Sequence, residues 1–514
     1  METHKAMVLL RNRIKSIIKP EVIGWGIVFL GFIVRIRQYF ANRSFWGDEA
    51  SLAINIVSRS FIELTKPLGF HQAAPVGFLF IEKFLITVFG NHDYILRLFP
   101  LFSGILALYL IYRITLERFD FIGVFALLMF ALNTWLVNFS VEFKQYGSDV
   151  MVTLLLIYLS IRCLKEKPNA TDFLWLGAVG FVAIWVSHVS IFILPGIGLA
   201  LAFEKFIHKK QISFVWLLSL GAAWLISFGI DYLFILRHTA ADKYFYTYWL
   251  KSFLPLQAGD IFPWLENVYY KFVLIILDRT DLSAGYMVLV FAVIGGLSLL
   301  YRQRSLALII ISPFIVTLIA SALQKYPLSY RFMLFLLPLA LLLMAEGIGK
   351  MYQIFARINR YFALALYSIP VLLMLVPLTQ SAMGNFRIPP TIAEMKPVLA
   401  FVEENKQPGD IIYVHYRSVP AFNYYAPFFR LDTENVIIGK DRQNPQKALD
   451  LFFSDIKELQ GKDRVWVILS EIPYCYDCEG DKQLFFENSL NENGSMRDRI
   501  LAPNAVAYLY DFNP

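Results

Sequence analysis

The chain has 514 residues, 57% of them hydrophobic and only 17% charged, with a mean hydropathy of +0.54, where an ordinary globular chain carries about 25% charge. That balance, together with 16% aromatic residues, excludes a soluble enzyme, a nucleic-acid module and a disulfide scaffold, and marks a polytopic membrane protein. The excess of 47 Lys and Arg over 40 Asp and Glu gives a net charge of +7, which in such a protein belongs to cytoplasmic loops and implies no nucleic-acid partner.

Residues 1–20 carry Lys5, Arg11, Arg13, Lys15 and Lys19 ahead of the first apolar run and predict a cytoplasmic N-terminus. No small-residue cleavage site follows that run, so it reads as a retained span. A span needs about 20 largely apolar residues. The sequence predicts spans at 21–39, 94–113, 121–140, 148–164, 213–236, 283–301, 305–323, 330–349 and 361–380. A further apolar run over 172–203 is too long for one helix of ordinary tilt and contains His188 near its middle. Splitting it into 172–187 and 189–204 gives about eleven transmembrane helices within 21–380. Charge supports the split: Arg113 and Arg118, Arg162 to Lys167, Lys205 to Lys210, Arg302 and Arg304, and Lys350 to Arg360 then all face the cytoplasm, leaving little besides Lys144 and Lys325 in the short outer loops.

Three regions lie outside on the far side: a first loop at 40–93, a second at 237–282 with Tyr244, Phe245, Tyr246, Tyr248 and Trp249, and a tail at 381–514. The tail reads as an extracytoplasmic α/β domain. Apolar runs at 411–414, 436–438, 465–469 and 505–509 predict strands, and helical patterns at 392–405 and 445–460 alternate with them, which argues for parallel pairing. No glycine-rich phosphate loop follows any of these strands. Cys475 and Cys478 in a C-x-x-C could close a local disulfide in an oxidising compartment.

In the first outer loop, Leu52, Ala53, Ile56 and Val57 recur at helical spacing, so 49–60 predicts an interfacial helix. Asp48 stands where an N-cap would stand and Glu49 in the first turn, where negative charge suits the helix dipole. The other reading makes Asp48 a base at the membrane surface, its pKa raised by partial desolvation beside Phe45 and Trp46.

Phe45-Trp46-Gly47-Asp48-Glu49-Ala50 resembles the Asp-Glu signature in the first outer loop of the GT-C membrane glycosyltransferases, most closely the group of protein O-mannosyltransferases and the lipid A aminoarabinose transferase. His71-Gln72-Ala73-Ala74-Pro75, then Phe89-Gly90 and Leu96-Arg97-Leu98, is similar to that group's next conserved stretch, with Ala74 in place of a proline. Phe139 to Tyr146 is similar to its "S-Q-E-x-R-x-Y", with Lys144 replacing arginine, and Tyr330 to Pro338 to its "R-Y-L-L-F-L-L-P". The resemblance covers about 40–350. It implies a GT-C-like fold, a polyprenyl-phosphate-linked sugar (dolichyl or undecaprenyl) as donor, and inverting transfer on the extracytoplasmic face. A bacterial inner membrane is the expected location, with a glycolipid, a cell-envelope polymer or a protein as acceptor.

Such a displacement needs a base, which we assign to Asp48, and preorganised cations for the departing phosphate. Glu49 is assigned to orientation, or to a divalent cation (Mg or Mn) that only the resemblance suggests, since no metal-ligand spacing occurs. Arg331 is the leading phosphate ligand, its planar fork suiting the oxyanion; Lys144, Lys325 and Arg97 are further candidates. Each has a plainer reading: Arg331 and Lys325 snorkel to headgroups, Lys144 neutralises Glu142, and Arg97 pairs with Asp93. His71, Glu142, Tyr146 and Trp46 are candidates for substrate contact. The Tyr244–Trp249 cluster is either an interfacial belt or a stacking surface for sugar. Two other function classes stay open, a lipid-linked-sugar transporter or flippase and a non-catalytic scaffold. The missing internal repeat counts against the first, and the retained Asp48, Glu49 and Arg331 against the second.

Overall fold

The computed structural model describes residues 20–119, 122–210, 212–240, 243–279, 282–431, 434–440, 448–471 and 482–513. Cys475 and Cys478 lie outside the described residues; Cys163 is buried and free.

Among the described residues, eight helices are long and apolar enough to cross a membrane, among them Pro20–Phe40, Tyr146–Cys163, Arg304–Ala322 and Arg360–Arg387. The protein is an integral membrane protein. The other three expected spans fall on shorter helices, Gly123–Leu132, Ala170–Val186 and Ser190–Phe206. The long apolar run divides at Ser187–Val189, with His188 in the break. Ser187 takes an extended conformation there, and its hydroxyl donates to Asp149 Oδ1 at 2.6 Å. An Asn169/Asp172 capping box opens the first of these two helices.

One expectation is corrected. The span over 121–140 is interrupted at Asn133, whose side-chain oxygen accepts from Leu136 N–H while its amide donates to the Ile275 and Ile276 carbonyls at 2.8 and 3.2 Å. Those carbonyls belong to the expected second outer region, 237–282, which contains the helices Lys243–Trp249 and Ala258–Leu277. Asp260, Glu266 and Lys271 break the hydropathy of the longer one, yet Val273, Ile275, Ile276 and Leu277 are buried in the bundle core.

The tightest crossing joins Leu282–Arg302 to Leu337–Phe355. A Cβ on Gly295 would overlap the Leu343 carbonyl, and one on Gly347 the Phe291 carbonyl, so the two backbones touch directly.

The C-terminal domain carries a five-stranded sheet, β1 (Ile411–Val414), β2 (Val436–Ile438), β3 (Val465–Ser470), β4 (Ser495–Ala502) and β5 (Ala505–Asp511), in the order β2-β1-β3-β5-β4. β1 is parallel to β2 and β3, as expected. β5 is antiparallel to β3 and to β4, an edge strand the sequence did not reveal. Alternate residues fill two separate cores. Tyr413, Val467 and Tyr508 face the helices Ala448–Glu458 and Lys482–Asn491. Ile412, Trp466 and Ala507 share a core with Phe45, Leu52 and Phe78 of the first outer loop. Burial on both faces explains why the inner strands are continuously apolar. The domain is therefore built onto the loop at 40–93 and has no free inner face there.

Candidate active site

Four stretches far apart in sequence meet at the end of the bundle that carries the first outer loop. The helix Gly47–Ser58 brings Asp48, and the turn before Val76–Phe89 brings His71 and Gln72. The turn between Phe139 and Tyr146 brings Lys144, and the 3-10 segment Tyr330–Leu336 brings Arg331. They line a cavity of about 140 Å³.

At its centre, Arg331 Nη1 donates to Asp48 Oδ2 at 2.6 Å, while Lys144 Nζ stands 3.6 Å from Oδ1. Gln72 bridges the two, donating to Asp48 Oδ1 at 3.1 Å and accepting from Lys144 Nζ at 2.6 Å. The Arg331 guanidinium lies 5.3–5.9 Å from the ring centroids of Trp46, Tyr146, Trp249 and Phe332, an aromatic box that holds a cation without neutralising it. Local backbone aims it: Tyr330 adopts φ +28°, held by its ring stacking on Trp135 with centroids 5.8 Å apart.

Asp48 is not an N-cap. The helix begins at Gly47, the capping position is Trp46, and no side chain of the loop itself caps it. Nor is its carboxyl raised. Burial alone would raise it, but the Lys144 and Arg331 charges and the Gln72 and Arg331 hydrogen bonds prevail and hold it well below the usual carboxylate range. Burial depresses the Lys144 ammonium, against the pull of Asp48. Burial, and the Glu49 carboxylate after it, pushes Glu142 up. Glu142 contacts Arg43 Nη2 at 4.0 Å, while the ion pair of Lys144 is with Asp48, Glu142 acting on it only at longer range.

The structure places Glu49 and Arg97 away from the cavity. Glu49 is wholly buried, receives Arg97 Nη2 at 3.2 Å and Phe143 N–H at 2.7 Å, and is not among the cavity-lining residues. Arg97 stacks over Phe45 at 4.5 Å and donates to the Arg43 carbonyl at 2.6 Å. Its partner is Glu49, whereas Asp93 takes Lys396 Nζ at 2.9 Å and the Tyr425 hydroxyl at 2.7 Å. Lys325 closes the end of Arg304–Ala322 through its backbone N–H to Ala320 and is not among the cavity-lining residues. His71 lines the cavity and stacks on Tyr244 with centroids 3.9 Å apart, while Phe245 and Trp249 form part of the wall. The aromatic cluster is thus site lining as well as surface.

Sequence reasoning missed Gln72 as a participant and Asp149, which lines the cavity floor beside His188. Gln72 stood inside a quoted motif, and Asp149 three residues past one, so proximity was the available signal. Among the described residues no group of three or more His, Cys, Asp or Glu side chains assembles as metal ligands, and both Asp48 oxygens already face cations. The residues present do not fit a divalent ion at this point.

The bundle, the first outer loop and the terminal α/β domain together superpose on a solved protein, ArnT from Cupriavidus metallidurans bound to undecaprenyl phosphate, over 94% of this chain and 98% of that one, with a TM-score of 0.50 at 12% identity. This chain has the GT-C fold. The family model for dolichyl-phosphate-mannose-protein mannosyltransferases matches residues 72–230, a stretch of the GT-C bundle that includes Gln72, Lys144 and Asp149. The Archaeoglobus fulgidus oligosaccharyltransferase in complex with zinc and sulfate is also similar, at 13% identity and a TM-score of 0.48 over 95% of this chain and 73% of that one. A search of the curated proteins finds no match. The GT-C resemblance first carried by the motifs therefore holds for the fold over 94% of the chain, and the family-model match over residues 72–230 supports a membrane glycosyltransferase.

Proposed function

We propose that the protein transfers a sugar from a polyprenyl-phosphate donor to an acceptor on the extracytoplasmic face of a bacterial inner membrane, N-terminus inside, by an inverting single displacement with Asp48 as general base. The observation that carries this reading is the meeting of one carboxylate and two cations, Asp48, Arg331 and Lys144, in one cavity. The undecaprenyl phosphate held by the ArnT structure gives the donor class its precedent.

The proposed base and the cations satisfy one another in this structure. A donor phosphate entering between them competes for Arg331 and Lys144, and every contact it takes relieves Asp48 of a charge that suppresses its basicity. The acceptor O–H or N–H then gives its proton to Asp48 as its heavy atom bonds the anomeric carbon. The bond from that carbon to phosphate oxygen breaks, and the leaving polyprenyl phosphate keeps the electron pair beside Arg331 and Lys144. The aromatic wall of Trp249 and Phe245 offers stacking faces for the sugar. A glycolipid, an envelope polymer or a protein fits the acceptor role.

The test is a matched assay of purified wild type and Asp48→Asn with radiolabelled polyprenyl-phosphate sugars and a membrane extract as acceptor source. The variant is expected to lose about two or more orders of magnitude in transfer at normal expression. Transfer unchanged in the variant would remove Asp48 as the base.

A further inference from the structure

The segment that ends in Asp48 is held from the bundle side by Arg97 and Glu142, and from the other side by a run of contacts with the C-terminal domain. Lys396 Nζ donates to the Asn42 carbonyl at 2.6 Å, and Arg43 Nη1 to the Pro390 carbonyl at 3.0 Å. Ser44 donates both its N–H and its hydroxyl to Glu394 Oε2, at 3.1 and 2.8 Å. Phe45 N–H donates to the Tyr425 hydroxyl at 2.7 Å, and Gly47 N–H to Glu471 Oε1. Glu471 closes β3 and begins the exit from the sheet at φ +50°.

The last contact bears on the base directly. The first N–H groups of a helix have no partner within it, and a nearby side chain normally supplies one. Trp46 supplies none, so a carboxylate from another part of the molecule does so, at the residue immediately before Asp48. Its negative charge also suits the helix N-terminus. The contact is sensitive to residue 47: a Cβ there would come within 2.8 Å of Glu471 Oε1, the mobile end of a flexible side chain, so an added methyl would push the carboxylate away from the Gly47 N–H.

We propose that Glu471 is a positioning residue for Asp48, and that the C-terminal domain is part of the transfer machinery because Glu394, Tyr425 and Glu471 together set the path of residues 44–47. This rests on the reading of Asp48 as the base. Glu471 touches no reacting atom; it acts by fixing the N–H of Gly47, which determines how Asp48 enters its helix and meets Arg331 and Lys144. The domain's role in this account is to aim the base, and acceptor choice is no part of it.

The test uses the full-length chain in detergent and the labelled polyprenyl-phosphate sugar that wild type turns over, with Glu471→Ala, Glu471→Gln, Gly47→Ala and the double variant Gly47→Ala/Glu471→Ala. Misplacing a catalytic group by about 1 Å can cost roughly 100-fold, so Glu471→Ala is expected to lower kcat about ten- to 100-fold while the donor KM stays within about twofold. Glu471→Gln keeps an accepting oxygen and is expected to restore most of kcat. Gly47→Ala should reproduce the loss alone but add nothing in the Glu471→Ala background, because the two share one contact. Hydrogen–deuterium exchange should quicken across residues 44–50 in Glu471→Ala and not in Glu471→Gln.

An unchanged kcat in Glu471→Ala, a Gln variant as poor as the Ala variant, or additive losses in the double variant would each overturn the proposal. Asp48→Asn run alongside separates the two ideas. If that variant keeps its activity, the base assignment fails, and exchange across 44–50 then decides the placement by Glu471: unchanged exchange removes it, quickened exchange in Glu471→Ala alone keeps it.

Discussion

Glu82 shows how much a single side chain can reveal. It lies wholly buried in the helix Val76–Phe89, and neither carboxylate oxygen has a hydrogen-bond partner among the described residues. Burial pushes its carboxyl well above the ordinary value of 4.5. A proton held more tightly in the folded state makes stability pH-dependent in a definite direction. Below the ordinary value both states are protonated and nothing is lost. As pH rises above it, the unfolded chain gains by ionising, so the folded state loses ground until the raised folded pKa is reached. Glu82→Gln is therefore expected to flatten the fall in melting temperature as pH rises above the ordinary carboxylate range. Parallel curves for variant and wild type would show Glu82 to be ionised or solvated. The same scale shows what the sequence could offer about the site. Asp48, Lys144 and Arg331 were readable because each stood in a quoted motif. Glu49 and Arg97 stood in motifs too, and only their burial against Phe45 and Phe143 shows that they support the loop and do not face the cavity. Glu471 was not readable, since it follows Gly47 by 424 positions and contacts it only once the chain has folded.

At the scale of elements, the direct backbone contact between Leu282–Arg302 and Leu337–Phe355 sets where the helix carrying Arg331 at its start can lie. A methyl group added at Gly295 meets a carbonyl oxygen, which cannot swing aside as a flexible side chain would. Gly295→Ala is expected to lower stability by about 1–3 kcal/mol, the range for overpacking. Gly198→Ala is the control: no atom lies within 4 Å of its added Cβ, so replacing a helical glycine there should be neutral or gain up to about 1 kcal/mol. Thermal melts in one detergent compare them, and equal shifts would remove the crossing as a constraint. Elements were legible in proportion to their apolar continuity. The inner strands β1, β3 and β5 announced themselves because both their faces are buried. β4 did not, since Arg497, Asp498 and Arg499 face solvent at the sheet edge, where charge is what keeps an edge from pairing further. The helix Ala258–Leu277 was hidden by its charged outer face.

For the molecule as a whole, the shared core of loop and domain predicts cooperative behaviour. Trp466 lies at the centre of that core, fully buried, with its indole N–H on Asp410 at 3.0 Å. Unfolding the sheet would strip the apolar cover from Phe45, Leu52 and Phe78, so neither part is stable alone at that face. Thermal unfolding followed at Trp466 and by hydrogen exchange across residues 44–50 of the loop is expected to give one coincident transition. A lower, separate transition at Trp466 with the loop still protected would show the domain to be an independent appendage. The general architecture was legible, since hydropathy and basic loops gave the bundle and the composition shift gave the domain. The dependence of one on the other was not, because the contacts join residues 42–47 to residues 390–471.

That dependence also has a consequence in time. Translation reaches Glu471 424 residues after Gly47, which at about 5–20 residues per second is roughly 20 to 80 seconds later. Throughout that interval the bundle can insert and Arg97, Lys144 and Arg331 can take their places while the Gly47 N–H lacks its Glu471 partner. On the function proposed above, a nascent or prematurely terminated chain would lack the contact that positions Asp48, and competence for transfer would wait on the synthesis and docking of Glu471.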